Sequence, residues 1–406
     1  MSDTSSNGQA APPDHVPPER VVDLDIYAPH GEGEDYFAAW LRWRESSPFP
    51  VLWTPHHGGH WIAMRGAGVL EVLSDSERFS VDSFGVPRAP AGQRPLGALL
   101  KDPPEHAPWR RFLNLGLSPR VVSGSEAAIR ARAIELIENV RPRGACEAVT
   151  DFADVLPLSV FLDLVDLPLA DREMLANWTA ETVRGADVAA REAAFNALAA
   201  YLAPVLHERR GGTGDDMLSA IARLEVDGAP VTDEEAVGAA IHLCMAGLDT
   251  VASLLVFVLE HLARHPAERS RMRREPAYLE AAATEFTRRF PIVVMSRRVR
   301  ADIEFGGVQL HEDDMISAPT MLHNLDPDLF PAPLAFDPAR KASHIATFGH
   351  GIHRCPGAAL GRRELLVTLQ EWLPRIPDFA LADPAGQRVD GGIVASMPRL
   401  DLRWSA

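Results

Sequence analysis

The stretch from Asp233 to Arg264 constrains the fold more than any other part of the chain. Its middle, His242-Leu-Cys-Met-Ala-Gly-Leu-Asp-Thr250-Val, is apolar on nearly all sides. Its ends carry helix signals: Thr232-Asp233-Glu234-Glu235 fits a capping box and His265-Pro266 supplies the stop. At 1.5 Å per residue a helix of about 32 residues spans about 48 Å, enough to cross a whole molecule. A helix apolar all round is buried, so the rest of the chain must wrap it.

Three residues in that helix work against its stability. Gly247 costs about 1 kcal/mol relative to Ala in a helix interior. Asp249 is a carboxylate that burial penalises unless it is paired, and Thr250 can bond back to the carbonyl one turn earlier and distort the ladder. A kinked core helix with a satisfied Asp accounts for these residues about as well as a functional site does. His242, Ala246, Asp249 and Thr250 share one helix face.

Composition narrows the class. The 46% hydrophobic and 24% charged content is that of a soluble globular protein. The net charge of −16 sets up a field that repels phosphate backbones, so nucleic acid is not an expected partner. Cys146, Cys244 and Cys355 are few, odd in number and far apart, which fits a reducing cytoplasm and no disulfide framework. The N-terminus has neither a basic start nor an apolar stretch, and nowhere do 18 or more apolar residues run uninterrupted, so neither signal peptide nor membrane association is expected. Residues 1–20, rich in Pro, Ser and Ala, read as a flexible lead, either mobile or pinned to the surface, and 21–406 as a single domain.

Most of that domain reads as helix. Residues 126–140, 188–209, 233–264 and 358–373 carry apolar positions at three-and-four spacing. Strand signals are short, as at His60-Trp61-Ile62-Ala63 and at Ile303-Glu304-Phe305 before Gly306-Gly307. From Asn324 to His353 there is no steady period, a length that marks a loop with a task. The fold class is mainly α with a smaller β region.

That long loop ends in Phe348-Gly-His-Gly351-Ile-His353-Arg354-Cys355-Pro356-Gly357, just before a helix starting near Ala358. A cysteine there meets the positive end of the helix dipole and turn amides, so its thiolate is favoured. Gly351 and Gly357 permit the tight backbone. No second Cys or His stands at zinc spacing. A lone thiolate on a turn suits a catalytic nucleophile or an axial haem ligand, against the plain alternative of a small buried hydrophobe. His56, His57 and His60 read as a solvated turn, with no acidic or Cys partner at ligand spacing.

The pattern Phe-x-x-Gly-x-x-x-Cys-x-Gly resembles the haem-binding signature of the cytochrome P-450 family. Ala246-Gly-Leu-Asp-Thr250, Glu285-Phe-Thr-Arg288, Phe336-Asp-Pro-Ala-Arg340 and His106-Ala-Pro-Trp-Arg110 are similar to further family motifs in the same order. The strings GGHWIA, DPPE, GLDTV, GVQL, EWL and IPDF are similar to the soluble bacterial camphor-monooxygenase group, and the likeness runs from about Val21 to Trp404.

The resemblance implies the triangular P-450 prism, with haem b between the long central helix and the cysteine loop. By it Cys355 is the axial iron ligand, His106 and Arg110 hold one haem propionate, and Arg297 and His353 hold the other. Glu285, Arg288 and Arg340 lock the cysteine loop. Asp249 and Thr250 carry the proton relay of a monooxygenase. Electrons are implied to come from a [2Fe–2S] ferredoxin fed by an NADH-dependent reductase. Arg110, Lys341, Arg354 and Arg362 are candidates for the docking patch, although Glu77, Leu70 and Ala107 stand where the group is expected to have basic residues.

The segment Ser83 to Leu100 takes the place of the group's substrate-covering loop and has no tyrosine to anchor a ketone. Candidate substrate contacts are Phe84, Leu96, Leu99, His242, Ala246, Val293, Ile393 and Val394, each of which reads equally as plain core; His242 reads either as a donor to a ketone or ether oxygen or as a histidine satisfied by neighbouring backbone. Burying about ten carbons gains on the order of 8 kcal/mol before binding costs. The expected substrate is therefore a small apolar terpenoid or norisoprenoid, and the expected protein a cytoplasmic monomer. A non-catalytic haem sensor and a peroxide-driven haem-thiolate enzyme are the rival readings; the pair Asp249-Thr250 counts against the sensor.

Overall fold

The structure, a computed structural model, describes residues 9–83, 85–88, 96–184, 188–341 and 344–405. Helices dominate, and the expected ones form over Pro119–Val140, Val188–Arg210 and Ala358–Arg375. The capping box at Thr232 is complete: its hydroxyl accepts from the Glu235 amide at 3.2 Å, and its own amide donates to the Glu235 carboxylate at 3.1 Å.

The long central helix is two helices. Asp233–Leu248 and Thr250–Arg264 meet at Asp249, whose ψ of −40° is helical while its φ of −106° is not. Local packing explains the break. A Cβ on Gly247 would lie 2.8 Å from the Phe161 ring, so this turn accepts no side chain. The Thr250 hydroxyl reaches the Ala246 carbonyl only at 3.5 Å. Asp249 also stands between two apolar clusters. The upstream helix packs with Trp109, Phe112, Phe161, Leu198 and Ile221, the downstream one with Phe286, Ile316 and Trp372. By length and apolarity the segment Asp233–Arg264 would reach across a bilayer, but 65% of its most apolar window is already buried against the rest of the chain.

A five-stranded sheet sits beside the helices, in the order Val51–Thr54, His60–Ala63, Met315–Pro319, Val294–Val299, Phe79–Ser80. His60–Ala63 runs antiparallel to its hairpin partner and parallel to Met315–Pro319. The strand expected at Ile303–Phe305 forms a hairpin with Val308–Leu310. Gly306 and Gly307 take φ of +60° and +78° in its turn, a conformation that costs glycine nothing.

Within the lead, residues 9–20 are pinned to the surface: the Ala10 amide donates to Pro55 at 2.8 Å, Val16 is buried, His15 pairs with Asp314 at 3.1 Å, and Arg20 lies over the Phe49 ring at 3.9 Å. A few apolar and cationic anchors suffice to hold a Pro-rich segment on the sheet. The aperiodic loop is as read: among the described residues no regular element lies between Met321–Asn324 and the short turn Gly351–His353.

Candidate functional site

The cysteine turn is built from backbone. The Cys355 amide donates to the Phe348 carbonyl at 2.7 Å, closing the loop on itself. Gly349 and Gly351 sit at φ of +68° and +69°. A Cβ on Gly351 would meet the Ser74 Cα at 2.6 Å, so the loop presses directly on the helix Gly66–Ser74. Gly357, expected to share that role, has an ordinary φ of −78°. Its part is to bring an amide to the sulfur.

The amides of Gly357 and Ala358 and the cations Arg110 and Arg354 all pull the Cys355 thiol down, but burial outweighs them and its pKa is raised. The residue keeps accessible surface while protein closely surrounds its sulfur. The expectation that the turn by itself favours a thiolate is therefore corrected. Ionisation at this position calls for a bound cation, as thiolate metal ligands do.

Around the turn stand four basic side chains from three segments. His106 opens the helix His106–Gly116, with Arg110 one turn on; Arg297 lies in the strand Val294–Val299, and His353 in the turn itself. The two imidazoles are 4.3 Å apart between ring centres, and the Nε2 of each is buried with no hydrogen-bond partner among the described residues. Arg297 is buried and, among the described residues, its side chain donates only to the Ser296 carbonyl, at 2.8 Å. Burial lowers its pKa to about 10, partly offset by Asp102. That carboxylate is already engaged by Ser80, the Val81 amide and Arg300.

Burial, then His106, Arg297 and Arg110, lowers His353 to about 3. Beyond the already engaged Asp102, no carboxylate among the described residues answers this cluster. Orphaned imidazole nitrogens and a buried guanidinium beside a lone cysteine fit a cofactor that carries both a metal and carboxylates, as haem does.

Behind the turn lies a closed network. Arg288 gives its guanidinium to Glu285 at 2.6 and 2.9 Å and to the carbonyls of Asn324, Pro333 and Ala335. Arg340 approaches Glu285 at 3.7 Å and donates to Pro331 at 2.9 Å. The structure thus brings together Glu285, Arg288 and Arg340. Sequence reasoning missed their partners. Asn324 accepts from the Ala346 amide and donates to Arg288 and Thr347, and His323 bridges Gly66 and His344. No local pattern marks these residues, because every contact spans 20 residues or more of chain.

On the central helices, His242, Ala246 and Thr250 keep accessible surface along one stripe of a largely buried element. Asp249 is buried and lines a cavity of about 710 Å³ together with Asp154, Asn177, Glu181 and Ser253. Of the substrate candidates, Val293 and Val394 pair in a β-bridge and Ile393 accepts from the Val294 amide at 2.9 Å, so these three stand together. Leu96 is buried and Leu99 half-buried against the Trp109–Phe161 cluster, which makes them core as much as lining. Phe84 lies outside the described residues.

A further residue went unforeseen. The Tyr27 hydroxyl accepts from the Val86 amide at 3.1 Å, and both it and Ile393 border the backbone at Gly85. Of the docking candidates, Lys341, Arg354 and Arg362 are exposed whereas Arg110 is half-buried in the basic cluster. His56 and His57 do have acidic partners, Asp23 at 2.7 Å and Asp25 at 2.6 Å, contrary to the reading of a turn without them. Among the described residues no group of three or more His, Cys, Asp or Glu could hold a metal ion.

Comparison with known proteins agrees with this geometry. The family model for Cytochrome P450 matches residues 188–376. The chain is 34% identical over 403 residues to "Probable cytochrome P450 127A1" of Sinorhizobium fredii, covering 97% of each. It is 33% identical over 356 residues to the erythromycin C-12 hydroxylase of Saccharopolyspora erythraea, covering 83% of this chain and 86% of that one. The crystal structures of CYP101J2 and CYP101C1 superpose with TM-scores of 0.90 and 0.88 at 40% identity, covering 98% of this chain and 100% of each of theirs.

Proposed function

The chain belongs to the cytochrome P450 family, a monooxygenase family with haem b bound through a cysteine thiolate, and from that premise we propose that it hydroxylates a small apolar terpenoid or norisoprenoid. In this reading Cys355 would bind the haem iron through its thiolate, His106 and Arg110 would hold one propionate and Arg297 and His353 the other, while Glu285, Arg288 and Arg340 keep the loop in place. The observation that carries the assignment is the basic cluster beside the lone cysteine, answered by no free carboxylate among the described residues. The overall reaction takes RH, O2, two electrons and two protons to ROH and water.

Bound haem supplies reductive dioxygen activation, which thiolate ligation favours. The chain's own part is to deliver protons and exclude excess water. The Thr250 Oγ1, bound only weakly at 3.5 Å to Ala246, can turn to hold a water at the break. Asp249 borders the cavity shared with Asp154 and Glu181, and is the acid through which protons pass from that side. Val293, Ile393 and Val394 form one apolar wall, and Leu96, Leu99, His242 and Ala246 belong to the rest of the lining. Electrons come from a [2Fe–2S] ferredoxin and its NADH-dependent reductase, docking over the exposed Lys341, Arg354 and Arg362. The protein works in the cytoplasm as a monomer.

The test is spectroscopic first. The ferrous carbonyl adduct is expected to show the red-shifted Soret band of thiolate ligation, and Cys355→His to lose it while still binding haem. Turnover with ferredoxin, reductase and NADH should exceed turnover with peroxide alone. A wild-type adduct without the shifted band, or turnover by peroxide only, sinks the proposal.

A further inference from the structure

The Ser83 to Leu100 segment has no tyrosine of its own, yet a tyrosine from far upstream reaches it. The Tyr27 hydroxyl accepts from the amide of Val86, a buried residue, at 3.1 Å. At Gly85 the backbone runs between that hydroxyl and Ile393: a Cβ there would lie 3.4 Å from the Tyr27 Oη and 3.2 Å from the Ile393 Cδ1. Val86, Tyr27 and Ile393 pack in one cluster with Val293 and Val394. Residues 85–88 are thus joined to the apolar wall by a hydrogen bond and a close backbone contact.

Tyr27 is itself held on three sides, so its hydroxyl has a fixed place. Its amide donates to the Asp25 carboxylate at 2.8 Å, and the His57 Nε2 lies 2.6 Å from the same oxygen. The His57 ring lies against the Tyr27 ring, 4.7 Å between centres. A Cβ on Gly391 would collide with the Tyr27 carbonyl, so the chain just before Ile393 closes directly on residue 27. The histidine turn also supports the segment itself, since a Cβ on Gly58 would lie 3.7 Å from the Pro87 Cβ.

Resting on the monooxygenase reading above, we propose that Tyr27 is a positioning residue for the substrate pocket: its hydroxyl seats residues 85–88 against Ile393, and the seated wall sets the affinity for ligands large enough to touch it. A wall held by a hydrogen bond is ready for a ligand only in the fraction of molecules where that bond is made, and apparent affinity falls with that fraction. A ligand confined to the haem iron does not sense it.

The test uses two ligands that bind haem iron through the same kind of nitrogen and differ in reach, imidazole and 4-phenylimidazole, titrated into the holoenzyme by the Soret shift. Wild type is expected to hold 4-phenylimidazole more tightly by about tenfold or more, because its phenyl ring is buried against apolar side chains. Tyr27→Phe keeps the ring against His57 and removes only the hydroxyl. It should weaken 4-phenylimidazole about five- to tenfold, the worth of one net hydrogen bond, and leave imidazole unchanged. Should that variant fail to hold haem, Gly85→Ala decides by the same ratio, since it adds a methyl between Ile393 and the tyrosine hydroxyl while keeping Tyr27. An equal loss for both azoles would make Tyr27 a brace for the whole haem site, and a wild-type ratio would mean that the segment is seated without it. Either result overturns the inference, as does a wild type that holds the two azoles equally. With the red-shifted carbonyl band intact these ratios judge Tyr27 alone; a wild type without that band instead removes the reading on which the inference rests.

Discussion

Two groups of buried basic side chains flank the cysteine loop, and they differ in how their polar atoms are answered. Arg288 is 0% exposed, yet the Glu285 carboxylate and three carbonyls meet its guanidinium. Arg297 is 4% exposed and meets one carbonyl of its neighbour, while His106 and His353 each present a buried nitrogen to nothing in the described chain. Burying charge costs several kcal/mol per ion unless pairing offsets it. The first group is complete within the protein and acts as scaffold. The second is complete only with an anion from outside, which is the mark of a binding site.

The largest effect should come from breaking the closed group. Arg288→Ala strands Glu285 in the interior, at a cost of about 3 to 5 kcal/mol. Little soluble, haem-loaded protein is expected, and Arg288→Lys should not rescue it, since an ammonium cannot reproduce the two-pronged contact. Urea unfolding that shifts by less than about 1 kcal/mol for Arg288→Ala would erase the contrast between the groups.

The open group should respond with opposite signs in two states. Arg297→Leu removes a buried cation that its surroundings repel, so the apoprotein should become more stable by about 1 to 3 kcal/mol. The same change removes a charge-assisted contact to the cofactor, and haem transfer to apomyoglobin should quicken about tenfold. Apoprotein melting and haem-loss kinetics measure the two halves separately. A destabilised apoprotein would class Arg297 with Arg288 as scaffold.

The contrast also explains what could be read without a structure. Cys355, Thr232, Gly247 and Asp249 announce themselves because their chemistry is local: a turn, a cap, a missing side chain, a charge within an apolar run. The break at Asp249 was legible as strain, though not as two separate helices, because it depends on Phe161 lying against Gly247. The basic cluster joins segments as far apart as His106 and His353, so only the family resemblance grouped it. Tyr27 and Asn324 carried no signal, since a single hydroxyl or amide gains meaning only from the backbone folded beside it. The raised Cys355 thiol shows the same limit, because burial is a property of the whole fold.

Glu364 puts the comparison to an acid. It lies in the helix after Cys355, 2% exposed, with one carboxyl oxygen and the Thr368 hydroxyl one turn on both lacking partners in the described chain. Burial alone raises its pKa from 4.5 to about 8. Because the folded value is the higher one, the stability it contributes is full below pH 4.5 and is lost as the pH rises through 8. At pH 7 the accumulated loss is on the order of 3 kcal/mol. Glu364→Gln keeps the shape without the titration, so its holoprotein should unfold at a nearly constant urea concentration between about pH 5.5 and 8, while the wild type weakens across that window. Parallel pH profiles for the two would mean that a cation or bound water answers Glu364 after all, and would move it from the open class to the closed one.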